Sequence, residues 1–313
     1  MSELDSIFQE DWSPEHRSGV VAIIGRPNAG KSTLMNAILQ QKIAIVSPKP
    51  QTTRGRQLGI YSTEKVQIIF VDTPGVHQAH NKLGEFMAEV VERAVRDADV
   101  VLWLVDASLP PYAEDKALAE RLQSVAQYKP VILALNKQDI LAQDKSALAQ
   151  HEALATGMRV LRLSALQAQG VDALLSILSE LVPLGPRYYP LDQVSDANMR
   201  LIAAEVIREK IILNTEKEIP YSVAVEVTGF SETPERSTIE AMIYVERDSQ
   251  KGIIIGKGGQ MIKTIGTQAR LELVEMLETP VHLDLNVKVL KDWRSNEDLL
   301  KRVGYRLPKE DED

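Results

Sequence analysis

The stretch VVAIIGRPNAGKSTLMNAILQQ, residues 20–41, identifies the class of fold. It begins with a short apolar run, continues with a glycine-containing loop and ends with apolar residues at helical spacing. The loop matches G-x-x-x-x-G-K-[ST] from Gly25 to Ser32, in the strand–loop–helix context that this pattern requires. Its glycines let backbone N–H groups face phosphate oxygens, Lys31 can reach the outer phosphates, and the Ser32 hydroxyl can bind Mg²⁺.

The pattern of that stretch continues along the first half of the chain. Further apolar runs, KVQIIFVDTPG, DVVLWLVDAS, PVILALNKQD and RVLRLSAL, are typical of buried parallel strands. Helical patterns such as KLGEFMAEVVERAVRDA and EDKALAERLQSVAQ separate them. We therefore predict a flexible N-terminus over 1–17 and, over 18–182, an α/β P-loop domain with a doubly wound, mostly parallel sheet. Ligands of such sheets bind at the carboxyl ends of the strands.

Three further motifs follow in the order expected for a guanine-nucleotide site, each at the end of a predicted strand. In DTPG, 72–75, Asp72 can hold Mg²⁺ through water and the Gly75 N–H can meet a γ-phosphate. In NKQD, 136–139, Asp139 can accept from N1–H and the exocyclic amine of guanine, whereas adenine would leave this carboxylate unpaired. In SAL, 164–166, the Ala165 N–H can donate to the guanine oxygen. We predict that the ligand is GTP or GDP with Mg²⁺.

The predicted nucleotide site therefore has four parts. Its residues are Gly25, Arg26, Pro27, Asn28, Ala29, Gly30, Lys31, Ser32 and Thr33 in the phosphate loop; Asp72, Thr73, Pro74, Gly75 and Val76; Asn136, Lys137, Gln138 and Asp139; and Ser164 and Ala165.

The segment SPKPQTTRGRQ, between the phosphate loop and DTPG, is predicted to sense the γ-phosphate. We expect Thr53, with Thr52 as the alternative, to complete the Mg²⁺ shell when GTP is bound, so that the segment orders with GTP and loosens with GDP. The predicted metal ligands are thus Ser32, Thr53 and Asp72.

Val76 stands where many small GTPases carry a catalytic glutamine, and valine cannot orient water. His77 and His80 are interpreted as residues of the switch loop without a catalytic role.

A different pattern follows the proline-rich stretch 183–198, which we predict to be a linker. Over 199–295 the predicted order is α-β-β-α-α-β, and 296–313 is predicted to be an acidic tail. In the last predicted helix Ile262, Ile265, Ala269, Leu273 and Met276 share one face.

The sequence GKGG, 256–259, lies between the last two predicted helices and matches the G-x-x-G loop of a KH domain. Such a loop presses glycine backbone against single-stranded RNA, while lysine and arginine side chains face phosphates. The predicted RNA-binding residues are Lys251, Ile255, Gly256, Lys257, Gly258, Gly259, Lys263 and Arg270.

Composition limits the other possibilities. The net charge of −8 argues against a uniformly basic nucleic-acid binder but allows a local basic groove. The absence of cysteine excludes disulfides and thiolate metal sites, which fits a reducing cytoplasm. Because the start is polar and acidic, we do not expect it to be a signal peptide, and no apolar run reaches the roughly 18 residues of a membrane span.

The chain resembles the Era family of bacterial GTPases over nearly its whole length. The resemblance rests on GRPNAGKST, PQTTRGR, DTPG, NKQD and SAL, and above all on PYSVAVEV, VERDSQKGIIIGKGGQMIKTIG and VKVLKDW. It implies a GTPase domain followed by a type II KH domain that binds the single-stranded 3′ end of 16S rRNA, and a checkpoint role in assembly of the small (30S) ribosomal subunit. It also implies slow intrinsic turnover and a peripheral association with the inner membrane. We expect a cytoplasmic monomer.

Relatives of this kind also suggest a role for Asn28, because an asparagine at that position binds K⁺ in several similar GTPases. Asn28 therefore joins Lys31, Thr53 and Gly75 as a predicted catalytic residue, with K⁺ supplying positive charge to the transition state. We further expect GTP binding to alter how the GTPase domain packs against the KH domain, so that RNA affinity depends on the nucleotide.

Three alternatives were weighed. A tRNA-modifying GTPase shares PNAGKS and TTR, but Gly55 follows TTR where those relatives carry aspartate, and their C-terminal cysteine is missing. A ribosome-assembly GTPase with two G domains does not fit, since the motif set occurs once. An RNA-binding regulator with a structural nucleotide site would lack turnover, whereas Lys31, Ser32 and Asp72 are intact.

Overall fold

The computed structural model describes residues 13–76, 79–141 and 146–306, and the described chain forms two compact units. The first unit contains residues up to Ala44, Arg56–Val76 and Val91–Asp196. The second unit contains the C-terminal part from Ala197 and also two segments from the first half of the sequence, Ile45–Gly55 and residues 79–90. The predicted domain ranges were continuous in sequence, and these units are not.

A mostly parallel sheet organises the first unit, with strand order β2-β3-β1-β4-β5-β6 in the described residues. Its strands are β1 (Arg17–Ile24), β2 (Gln57–Ser62), β3 (Val66–Asp72), β4 (Val100–Asp106), β5 (Val131–Asn136) and β6 (Arg159–Arg162). Every pairing is parallel except that of β2 with β3. The parallel strands were predicted, whereas the antiparallel edge strand β2 was not.

Helices cover both faces of this sheet. They are α1 (Lys31–Leu39), the part of α2 (Lys82–Asp97) from Val91 onward, α3 (Ala113–Val125), α4 (Ser146–Leu154) and α5 (Val171–Leu181). Successive residues of a strand point to opposite faces, so the continuous apolar run of β1 fills two cores. Ala22 and Ile24 pack in one core, and Val21 and Ile23 pack in the other, against Leu34 of α1. The doubly wound fold is confirmed, and it places the carboxyl ends of β1, β3, β4 and β5 at one edge.

The second unit is an α+β domain. Its elements are α6 (Met199–Asn214), α7 (Ile219–Ser222), β7 (Ala224–Thr233), β8 (Arg236–Val245), α8 (Asp248–Ile255), α9 (Gln260–Leu277), β9 (Val281–Val289) and α10 (Glu297–Arg302). The strand order is β7-β8-β9, with β7 antiparallel and β9 parallel to β8. Apart from the one-turn helix α7 and the terminal helix α10, this is the predicted α-β-β-α-α-β order.

The predicted amphipathic face of α9 packs into the core of the second unit. Ile265, Ala269 and Leu273 are fully buried there, and Ile262 and Met276 are half-buried.

The residues described near the predicted boundaries make specific contacts. Residues 13–16 form a turn before β1, and the His16 side chain is buried. In the predicted linker, the Tyr188 and Tyr189 N–H groups donate to the side chain of Gln67 in β3. The predicted tail begins with α10, whose Leu300 is buried. In each case a few buried contacts outside any periodic pattern fix the backbone.

Candidate functional site

The phosphate loop joins β1 to α1 as predicted. Asn28 lies in it with φ 61°, in the left-handed region that asparagine tolerates better than most residues. The Lys31 Nζ donates to the carbonyl oxygens of Gly25 at 3.1 Å and Arg26 at 2.9 Å. Burial lowers the pKa of Lys31 to about 8, and the neighbouring Asp72 carboxylate opposes this shift. An anionic ligand at the loop would favour the charged lysine.

A hydroxyl and a carboxylate meet beside the start of α1. Ser32 Oγ donates to Asp72 Oδ2 at 2.6 Å, and the Asp72 side chain is fully buried at the end of β3. These are the hard oxygen donors that Mg²⁺ prefers, on two elements that the parallel sheet holds next to each other. The two predicted metal ligands of the first unit therefore fit Mg²⁺. Thr73 follows, and its hydroxyl donates to the Ile23 carbonyl at 2.8 Å.

The DTPG turn lies directly against the phosphate loop. A Cβ atom on Gly75 would lie 2.5 Å from the Pro27 nitrogen and 2.7 Å from its Cα, so no side chain fits at this position. The next N–H, that of Val76, donates to the Gly25 carbonyl at 3.0 Å. Because these contacts involve backbone atoms, the turn can hold the Gly75 N–H near a phosphate bound to the loop.

Asn136 links the phosphate loop to the last motif. Its Nδ2 donates to the Ala29 carbonyl at 2.7 Å, and its Oδ1 accepts from the Ala165 N–H at 2.9 Å. The Ala165 N–H was predicted to donate to the guanine oxygen, whereas in the structure it donates to Asn136 Oδ1. Guanine recognition by Ala165 therefore requires this hydrogen bond to be shared or replaced.

The predicted guanine-reading carboxylate is exposed and oriented by a buried hydroxyl. Ser164 Oγ donates to Asp139 Oδ1, and Ser164 itself is fully buried. Asp139 is exposed, as a group that must meet an incoming base requires. Rejection of adenine requires that an unpaired carboxylate be shielded from water, so a bound base must itself bury Asp139.

Sequence reasoning missed an ion pair beside this motif. Lys137, at φ 65°, places its Nζ 2.6 Å from Asp106 Oδ2, at the end of β4. The Ser108 hydroxyl and N–H donate to the other oxygen of Asp106. Burial would raise the pKa of Asp106, but the hydrogen bonds from Lys137 and Ser108 hold it below its usual value. The polar residues Asp106 and Ser108 at the end of the apolar run DVVLWLVDAS could have indicated this ion pair.

Arg26 also has partners that were not predicted. Its Nε lies 2.7 Å from Asp115 Oδ2 in α3, and its guanidinium carbon lies 4.0 Å from the centre of the Tyr112 ring. Asp115 is buried and also accepts from the Tyr112 N–H at 2.9 Å. These contacts hold the second residue of the phosphate loop to the beginning of α3.

The threonines of the predicted switch lie in the second unit. Thr52 Oγ1 donates to the Lys49 carbonyl at 2.8 Å and shares a hydrogen bond of 2.7 Å with Ser47 Oγ. Thr53 is half-buried. The assignment of Thr53 as the metal ligand, with Thr52 as the alternative, stays a prediction. His80 is exposed, and His77 lies outside the described residues.

The second glycine loop joins α8 to α9 and faces outward. Lys257 and Gly258 are exposed, and Gly256, Gly258 and Gly259 have φ of 73°, 60° and 78°. A Cβ on Gly258 or Gly259 would meet nothing within 4 Å, so open space surrounds this backbone, whose conformation favours glycine.

The charged residues around this loop are also accessible. Lys263 and Arg270 on α9 are exposed, whereas Lys251 and Ile255 on α8 are half-buried. The four cations thus lie on the two helices that meet at the loop and on the loop itself.

No cluster of three or more His, Cys, Asp or Glu side chains that could hold a metal ion was found in residues 13–76, 79–141 and 146–306. Within the same ranges no helix combines the length and the apolar character needed to cross a membrane.

Comparison with known proteins supports both sites. Residues 20–137 match the family model described as 50S ribosome-binding GTPase, and residues 218–294 match that of the KH domain. The GTPase Era of Ruminiclostridium cellulolyticum is 42% identical over 94% of this chain and 99% of its own length, and that of Geotalea uraniireducens is 45% identical over 93% and 98%. The chain belongs to the Era family of GTPases.

Solved structures of Era agree with this assignment. A crystal structure of Era in complex with MgGDPNP and nucleotides 1506–1542 of 16S ribosomal RNA matches with a TM-score of 0.89 and 37% identity, covering 93% of this chain and all of that one. An Aquifex aeolicus Era variant bound to GDP and AlF4⁻ matches with a TM-score of 0.88 at the same identity and coverage.

Membership of the Era family confirms several predictions. The resemblance stated from the motifs was right, and so was the fold, a P-loop GTPase domain followed by a KH domain. The protein hydrolyses GTP to GDP and phosphate, and its cofactors are a guanine nucleotide and Mg²⁺.

Proposed function

We propose that this GTPase is a molecular switch that binds the single-stranded 3′ end of 16S rRNA through its KH domain and acts in assembly and maturation of the small ribosomal subunit. The observation that carries the proposal is the outward-facing GKGG loop, whose backbone at Gly258 and Gly259 is accessible. The Era of known structure with 37% identity was crystallised with nucleotides 1506–1542 of 16S ribosomal RNA.

The chemistry of the loop favours a polymer over a second nucleotide. GKGG lacks the G-K-[ST] ending of a mononucleotide-binding loop, and it connects two helices, whereas a mononucleotide-binding loop connects a strand and a helix. Glycine backbone can approach sugar-phosphates closely, and the N-terminus of α9 adds a favourable dipole. Phosphate contacts would come from Lys251, Lys257, Lys263 and Arg270. These residues would form a local basic surface on a chain whose net charge is −8.

The roles of the residues in hydrolysis follow from the geometry of the first unit. Mg²⁺, held by Ser32 and Asp72 with Thr53 completing the set, would supply positive charge next to the transferred phosphoryl group. Lys31 would exchange its carbonyl partners for phosphate oxygens, and Gly75 would donate its N–H to the γ-phosphate. Val76 cannot orient water, which supports slow intrinsic turnover. Asn28 is the candidate for a K⁺ ligand.

The remaining parts of the proposal rest on the family resemblance. They are a monomeric state and a cytoplasmic location with peripheral association with the inner membrane. The alternatives, an RNA-binding regulator with a largely structural nucleotide site and a tRNA-modification GTPase, are disfavoured by family membership.

Crosslinking followed by sequencing tests the RNA partner. The purified protein, loaded with a non-hydrolysable GTP analogue, is crosslinked to total cellular RNA, and the attached fragments are sequenced. We expect enrichment of the 3′ end of 16S rRNA over other RNA. Enrichment of large-subunit rRNA would contradict the proposal and would agree with the description of the matching GTPase family model.

A further inference from the structure

The segment Ile45–Gly55, which carries the predicted γ-phosphate sensor, is held along its length by α6 and α7 of the second unit. The contacts are hydrogen bonds from the Val46 N–H to Glu209, from Lys49 Nζ to the carbonyls of Ile212 and Thr215, from Arg208 to the Thr52 carbonyl, and from Arg54 to the end of α7. Several of these bind backbone atoms, so they fix the path of the segment.

Arg54 makes the most extensive of these contacts. Its Nη1 donates to the Val223 carbonyl at 2.6 Å and to the Tyr305 hydroxyl at 3.1 Å. Its Nη2 donates to the carbonyls of Pro220 at 3.0 Å and Tyr221 at 3.1 Å. Only 2% of Arg54 is exposed. A guanidinium stays protonated in proteins, so a full charge is buried next to the residue predicted to bind Mg²⁺.

Arg54 supplies hydrogen-bond donors to the carbonyl groups at the end of the short helix α7. The helix α7 has only four residues, Ile219–Ser222, so its last carbonyls have no partners inside the helix. Arg54 donates to the carbonyls of Pro220 and Tyr221 in the helix and to that of Val223 just after it, and Trp293 Nε1 donates to the carbonyl of Ser222 at 3.0 Å. A cation at a helix C-terminus is also favoured by the helix dipole.

Aromatic rings enclose the same guanidinium. The Arg54 guanidinium carbon lies 5.8 Å from the centre of the Trp293 ring and 6.0 Å from that of Tyr305, within the range of cation–π attraction. The two rings stack on each other at 5.8 Å and 13°. They form what we call the aromatic pair, Trp293 and Tyr305.

The segment that follows DTPG contacts the same pair. The Phe86 ring, in α2, meets Tyr305 edge-on at 5.8 Å and 62°, and Leu83 and Met87 pack in the cluster that contains Trp293. Arg54, which follows Thr53, and Phe86, in the helix after DTPG, therefore both contact the aromatic pair.

We propose that Arg54 is a positioning residue for GTP hydrolysis: its bonds to the end of α7 and to Tyr305 fix the backbone that carries the adjacent Thr53, the residue predicted to bind Mg²⁺. Arg54 would thus affect hydrolysis through the conformation of Thr53. This inference rests on the proposed function in one respect, the assignment of Thr53 as a metal ligand.

The inference predicts different effects on GTP and GDP. Without Arg54 the backbone next to Thr53 loses these hydrogen bonds, and a misplacement of about 1 Å at a reacting centre can lower the rate about 100-fold. GDP lacks the γ-phosphate that the segment senses, so GDP affinity does not depend on the position of Thr53.

The experiment measures kcat and KM for GTP and the Kd for GDP with the full chain, in the absence of RNA. Arg54→Met removes the charge at similar length, and Tyr305→Phe removes one hydrogen bond while keeping both ring contacts. Arg56→Met is the matched control, because Arg56 is an exposed arginine two residues further along the chain. Thermal unfolding shows whether each variant folds.

We expect Arg54→Met to lower kcat about 100-fold, with the Kd for GDP within about 2-fold of wild type. Tyr305→Phe should lower kcat by a smaller factor, and Arg56→Met should leave kcat and KM unchanged. If Arg54→Met does not fold, the inference is tested by comparing the kcat of Tyr305→Phe with that of Arg56→Met. Equal kcat in wild type and Tyr305→Phe, an increased kcat in Arg54→Met, or an equal loss of GTP and GDP affinity would overturn the inference.

The result is separable from the proposed RNA function. Binding of a single-stranded RNA with the sequence of the 16S 3′ end is measured on the same wild-type protein. Failure of that binding would overturn the proposed function, while the hydrolysis data would still decide the role of Arg54.

Discussion

Replacing Asn136 with alanine tests how the phosphate loop and the base-reading motif depend on each other. The substitution removes the hydrogen bonds to Ala29 O at 2.7 Å and from Ala165 N at 2.9 Å. Ala29 is 2% and Ala165 3% exposed, so water cannot easily replace Asn136. Each buried group left without a partner costs about 1–3 kcal/mol, so the free energy of unfolding should fall by about 2–6 kcal/mol.

The same substitution should weaken nucleotide binding. If the two loops must be ordered again on binding, fixing about two backbone residues costs about 2 kcal/mol, which corresponds to about a 30-fold loss of GDP affinity. Isothermal titration calorimetry with GDP and denaturant unfolding measure the two effects on the same preparation.

Gln67→Ala is the matched control for Asn136→Ala. Gln67 is also a fully buried amide of the first unit, with hydrogen bonds to Ser62 Oγ at 2.9 Å and to the Tyr189 carbonyl at 2.8 Å. It should lower the free energy of unfolding while leaving the Kd for GDP unchanged. If both variants weaken GDP binding equally, or neither does, the specific link through Asn136 is refuted.

Three further predictions concern specificity, ions and coupling. Asp139→Asn should shift preference from guanine toward xanthine nucleotides, because xanthine carries an acceptor in place of the C2 amine; unchanged relative affinities for GDP and XDP would count against Asp139. Hydrolysis should be faster in K⁺ than in Na⁺, and equal rates would exclude the role given to Asn28. RNA affinity, measured by fluorescence anisotropy, should differ between GDP and a non-hydrolysable GTP analogue, and identical values would end the idea of coupling.

The fold of the first unit was predictable because its signals are local and repeated. Buried parallel strands are continuous apolar runs, and the nucleotide motifs stand directly after them. The strand β2 was missed because Gln57–Ser62 is short, contains Gly59 and follows a polar loop. Its antiparallel hydrogen bonds with β3 stabilise the strand conformation, which its own sequence does not indicate.

The contacts of Arg54 were beyond any reading of the sequence. Arg54 and Val223 are 169 residues apart, and the acceptors are backbone carbonyls, which carry no residue-specific signal. A single arginine in a polar loop is normally solvated. The pair of Lys137 and Asp106 was closer to being predictable, since Asp106 ends β4, Lys137 follows the neighbouring parallel strand β5, and both lie at the same edge of the sheet.

The most direct test of the two-site account is RNA binding by Gly258→Asp. Gly157→Asp is its control, because Gly157 is also exposed, has φ 76° and has open space around it, but lies in the first unit. Binding of the 16S 3′-end RNA is measured by anisotropy, and binding of GDP by calorimetry. The account predicts that Gly258→Asp loses RNA binding and keeps GDP binding, while Gly157→Asp keeps both. RNA affinity equal in Gly258→Asp and Gly157→Asp would contradict it.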